Sequence, residues 1–179
     1  MTLLSWSRVV AVTVIGFLFQ VTVLDQIVVL GAHPDVMIVL VGAAGAAAGP
    51  ARGAMIGFVL GLAADLAVTT PYGLSALTFV LIGFAAGLIE ALPGERTFAM
   101  QVVTTIAASA IGTLAYALLG ALTGQSSFLS SAAVYAMLVV TVGAFVLAPP
   151  AVALMRWIAK VADRVATGKV VPSGGSALR

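Results

Sequence analysis

The sequence predicts an all-α polytopic membrane protein of about six transmembrane helices, with both termini in the cytoplasm. Three observations carry that prediction. Hydrophobic residues make up 62% of the 179 positions and charged residues 8%, against roughly 45–50% and about 25% in globular domains. The apolar residues fall into six runs separated by breaks rich in proline and glycine. Once six crossings are drawn, all eight Lys and Arg residues fall on one side. Mean hydropathy is +1.22. So few charges cannot cover a water-facing surface, so lipid is the solvent for most of the chain.

The first helix is expected over about residues 8–24, with room to extend to Leu30. Arg8 ahead of an apolar run has the outline of a secretory signal. However, Gln20 and Thr22 interrupt that run and no small-x-small cleavage site follows before His33, so a retained helix is expected. The second helix, about 34–49, is short and rich in alanine and glycine, which leaves its depth and its packing partner open. The third is expected over 50–68, the fourth over 73–92 and the fifth over 98–122. The sixth is expected over 128–157, broken near Pro149-Pro150, because proline removes a backbone donor and crowds the preceding turn.

His33-Pro34, Gly49-Pro50, Thr70-Pro71-Tyr72-Gly73, Pro93-Gly94 and Gly124-Gln125-Ser126 mark the turns. Every connection is short, so neighbouring helices pack antiparallel and no soluble domain fits between them. Residues 1–167 form one six-helix domain, and 168–179, with Pro172, Ser173, Gly174 and Gly175, form a disordered cytoplasmic tail.

Orientation follows from the distribution of basic residues. With six crossings and a cytoplasmic N-terminus, the inner side receives Arg8, Arg52, Arg96, Arg156, Lys160, Arg164, Lys169 and Arg179. The outer side receives none of them and carries Asp25 and Asp35. A wrong crossing count would scatter the basic residues, so their segregation supports count and orientation together. The expected location is the inner (cytoplasmic) membrane.

The segment Gly53 to Asp65 places Gly53, Gly57, Gly61 and Asp65 at four-residue spacing. Each residue turns a helix by about 100°, so these positions form one slowly winding stripe. Glycine lets a neighbouring backbone approach closely, which is how membrane helices gain contact without a hydrophobic drive. The stripe therefore serves helix packing within the chain or the docking of a partner's helix, with the first preferred. Asp65 is an ionisable group near the outer end of its span. Capping the next helix through backbone amides around Tyr72 and Gly73 is preferred over proton or substrate handling, because no basic residue shares its side.

Pro34 suits the first turn of the second helix and Asp35 suits its dipole. Glu90, Glu95 and Arg96 flank an inner turn as an exposed, solvated set. Arg156, Lys160 and Arg164 recur every four residues as a basic stripe facing anionic headgroups, with Trp157 at the interface beside them. There is no cysteine and His33 is the lone histidine, so no metal site or cofactor is expected. GxSxG, HExxH and P-loop motifs are absent, so an enzyme is not expected. Nothing points to a nucleic-acid partner.

The order of these features resembles the rod shape-determining protein MreD family. The resemblance spans about residues 8–164 and rests on Pro34-Asp35 before an apolar helix, then Gly53-x3-Gly57-Phe58-x2-Gly61-Leu62-x2-Asp65. Pro71-Tyr72-Gly73 and an apolar helix with Gly83 and Gly87 follow. It implies a non-enzymatic subunit of the cell-elongation machinery, with a fold similar to the S-components of energy-coupling factor transporters. It also implies association with the single-span MreC and, through it, with MreB, RodA and a class B penicillin-binding protein. Pro34, Asp35, Gly53, Gly57, Gly61, Asp65 and Gly73 would be its motif positions. The second helix departs from the pattern, being richer in alanine and glycine than the leucine-rich helix expected there. The competing expectation is a transporter S-component holding a vitamin-like ligand. The polar residues available for that are sparse: Gln20, Asp25, His33, Asp65, Tyr72 and Ser126.

Overall fold

A computed structural model of the chain describes residues 3–26, 28, 33–66, 73–93, 97–122 and 131–167. They form α1 (Leu3–Thr22), a 3-10 turn (Leu24–Gln26), α2 (Val36–Ala48), α3 (Pro50–Asp65), α4 (Leu74–Ala91), α5 (Phe98–Leu122) and α6 (Ser131–Thr167). No strand occurs among the described residues. Among the described residues, three helices are long and apolar enough to cross a membrane: α4, α5 and the Val134–Lys160 part of α6. The apolar stretches Val10–Gln26 and Val36–Ala48 are shorter. The expected tail 168–179 lies outside the described residues, as do Tyr72, Glu95, Arg96 and Ser126.

Several boundaries differ from those expected. α1 begins at Leu3 and stops at Thr22, short of Leu30. α2 begins at Val36, with Asp35 as its N-cap, so Pro34 lies ahead of the cap and not in the first turn. α3 ends at Asp65. The expected break in α6 is absent, and the helix runs through Pro149 and Pro150 to Thr167. Two donors are lost there, yet Ala148 and Ala151 on either side are buried in the core. Packing of α6 on α2 and α5 holds the helix through the prolines, as neighbouring helices do in membranes.

The largest departure is α2. It packs against α1, α3, α4, α5 and α6, and every residue from Val36 to Ala46 is buried. A helix apolar on all sides belongs at the centre of a bundle. Its small residues answer the question of its packing partner: they allow several neighbours to close in at once. A Cβ on Gly42 would stand 3.2 Å from Ala108 Cβ and 3.3 Å from Thr105 O of α5. One on Gly45 would collide with the Gly83 carbonyl of α4. A leucine-rich α2 would hold both helices off.

The contacts fix which helix ends share a side. Arg8 of α1 lies over Trp157 of α6, and Arg156 lies over Phe98 at the start of α5. Gln101 of α5 donates to Ala46 O near the end of α2, and Gly87 near the end of α4 abuts Pro50 at the start of α3. Arg8, Arg52, Arg156 and Lys160 thus gather at one end, while Asp25, Asp35 and Asp65 gather at the other.

Candidate functional site

The four-residue stripe of α3 is the seam between α3 and α4. Gly53, Gly57, Gly61 and Asp65 are all buried. A Cβ on Gly53 would strike the Gly83 carbonyl and come within 2.6 Å of Gly45 Cα. On Gly57 it would strike Phe79 O, with Phe79 C at 2.7 Å, and on Gly61 it would strike Ala76 Cα, with Ser75 O at 2.8 Å. The opposing face of α4 contributes Gly83 and Gly87 in turn, so backbone meets backbone along the whole contact. The stripe is therefore covered by α4 of the same chain, and a partner's helix has no access to it.

At the acidic end of the seam, Asp65 closes the contact. Its Oδ2 accepts from Gly73 N at 2.9 Å and Ala76 N at 3.4 Å, and its Oδ1 accepts from Ser75 N at 3.1 Å. The first turn of a helix leaves four amides without intrahelical partners. The residue at the N-cap of α4 is Gly73, which has no side chain to offer and stands at φ 98°, a conformation that favours glycine. Asp65 thus does from a neighbouring helix what an N-cap side chain does locally.

A second buried helix start sits at the head of α2. Ile38 packs on Gly112 of α5, ten residues short of Leu122, which is about 15 Å at 1.5 Å per residue. Pro34 packs on Gly143, twelve residues into α6, or about 18 Å. The first turn of α2 is thus recessed between longer helices. Its amides are satisfied from two sources: Asp35 Oδ1 accepts from Met37 N at 2.8 Å and Ile38 N at 3.2 Å, and Gln20 Oε1 accepts from Val36 N at 2.8 Å. Gln20 Nε2 donates to Pro34 O at 3.1 Å and to Asp25 Oδ1 at 2.9 Å. Gln20 is a capping residue of α2 that the sequence placed only among the outer polar groups. Its signal was a polar side chain inside an apolar run.

At the basic end the expectation for Glu90 is overturned. It is not a solvated group but 4% exposed, because it faces α5 and accepts from Thr104 Oγ1 at 2.9 Å. One turn away, Gln101 Nε2 donates to Ala46 O at 2.9 Å, while Gln101 Oε1 finds no donor among the described residues. In the basic stripe, the guanidinium of Arg156 lies 5.7 Å from the Phe98 ring centroid and Lys160 is exposed. The side chain of Arg164 is outside the described residues. Among the described residues, no three of His, Cys, Asp and Glu come close enough to hold a metal.

Fold and site together define a helical membrane protein with tightly seamed helices, whose buried polar groups fasten helix ends to one another. Residues 1–158 match the family model described as rod shape-determining protein MreD, and the chain belongs to that family. The family is one of shape-determining membrane proteins and not a known enzyme family, which gives the chain a role in rod-shape determination. No curated protein and no solved structure matches the chain.

Proposed function

We propose that this chain is a membrane scaffold of the cell-elongation machinery. It crosses the inner membrane six times with both ends in the cytoplasm, and holds the single-span MreC. Through MreC it acts alongside MreB, RodA and a class B penicillin-binding protein. The observation that carries this reading is the MreD match over nearly the whole helical region. Two features support the topology. Among the described residues, Arg8, Arg52, Arg156 and Lys160 gather at one end of the bundle, which the positive-inside rule assigns to the cytoplasm. The first turns of α2 and α4 are capped by side chains of the bundle, so those helix starts need not reach water for their free amides.

The partner surface is the lipid-facing exterior and not the glycine stripe, because α4 already fills the stripe. Large apolar side chains such as Val103, Ile111, Leu114 and Leu118 of α5 are exposed there. A transporter S-component would need convergent polar groups for its ligand, but Gln20, Asp35 and Asp65 are already bonded to helix starts. The test is affinity purification of the tagged chain in mild detergent, with mass spectrometry of what co-purifies. MreC with RodA or a penicillin-binding protein is the expected result. Recovery of a transporter's membrane and ATPase subunits in their place would overturn it.

A further inference from the structure

Between α1 and α6 the bundle carries a lateral cleft of about 360 Å³, lined entirely by apolar residues. Val12, Gly16 and Phe19 of α1 form one wall, Leu147 and Leu154 of α6 the other, and Leu40 of α2 the floor. The wall residues of α1 continue one turn further to Arg8, and those of α6 continue to Trp157. There the guanidinium carbon of Arg8 stands 5.5 Å from the indole centroid. Arg8 and Trp157 thus stand one turn beyond the lining residues Val12 and Leu154, at the basic end of the bundle.

We propose that this cleft is a binding site for one anionic phospholipid, its acyl chain between α1 and α6 and its phosphate at Arg8. The charge beside the cleft selects that occupant. Arg8, one turn before Val12 on α1, brings five N–H donors suited to a phosphate. The site does not depend on which protein partner the chain binds.

The experiment titrates the delipidated full-length chain in detergent with phosphatidylglycerol or with phosphatidylcholine of the same acyl chains, counting bound lipids by native mass spectrometry. The first phosphatidylglycerol should bind roughly fivefold more tightly than phosphatidylcholine, the factor that about 1 kcal/mol from one basic residue gives. Arg8→Gln should remove the preference and keep the residual lipid. Leu154→Trp should weaken both lipids by filling the cleft. Ile15→Trp serves as a second filling variant, because Ile15 lines the cleft yet is 66% exposed, outside the packed core. Thermal melting of each variant reports folding separately. Equal binding of the two lipids by the native chain would overturn the proposal. So would a retained preference in Arg8→Gln, native-like binding in both tryptophan variants, or a protein helix crosslinked into the cleft.

Discussion

Replacing Asp65 by alanine tests how the α3–α4 seam is held. The carboxylate is 3% exposed and accepts from three amides at the start of α4, at 2.9, 3.1 and 3.4 Å. A buried donor left unmade costs about 1–3 kcal/mol. The two shorter bonds carry most of that cost and the 3.4 Å bond little, so the loss should be about 2–6 kcal/mol. At roughly 2–4 °C per kcal/mol for a chain of this size, the melting temperature should fall by roughly 4–24 °C. Asp65→Asn should fall between alanine and the native chain. One amide oxygen can still accept, but its NH2 group must then face an amide that the second carboxylate oxygen now serves. The assay is thermal unfolding of the purified chain in detergent, with Lys160→Ala at an exposed position as the reference change. A melting temperature for Asp65→Ala equal to that of the reference would refute the capping argument, as would asparagine being worse than alanine.

Gly57→Leu should abolish folded protein, because even a Cβ there strikes the Phe79 carbonyl; recovery of a monodisperse chain by size-exclusion chromatography at native yield would contradict this. Gln20 and Asp35 serve the same helix start, so Gln20→Leu and Asp35→Ala should each destabilise. Their double-mutant cycle should show a coupling of about 0.5–3 kcal/mol by thermal or denaturant unfolding, whereas strict additivity would mean that the two caps act independently.

Much of the architecture was legible because membrane helices are written in composition and punctuation. α5 occupies the residues expected, and the starts of α3 at Pro50 and of α4 just after Gly73 follow from proline and glycine at those turns. The place of α2 was not legible. Periodicity cannot separate a helix that faces lipid from one surrounded by other helices, because both are apolar all round. The glycines of α3 announced a close contact but not its partner. The answer lay in a second series at matching spacing, Gly83 and Gly87 of α4. Gln20 was missed because it acts on Val36, sixteen residues away, a distance no local capping rule covers. Glu90 was misread because its position beside a turn suggested water, while the side chain points at Thr104. The proline pair in α6 misled for a related reason: the rule for breaks comes from helices in water, where nothing replaces the lost bonds, whereas here neighbouring helices hold the segment.

The proposed topology puts the basic end of the bundle in the cytoplasm and the acidic end outside. The chain contains no cysteine, so one introduced thiol is labelled without interference. The most direct measurement is labelling of His33→Cys and Lys160→Cys by a membrane-impermeant maleimide in intact and in permeabilised cells. Both positions are exposed, and they lie at opposite ends of the bundle. That topology predicts labelling of the thiol at 33 in intact cells and of the thiol at 160 only after permeabilisation. Labelling of both from the same side, or the reverse pattern, would contradict it.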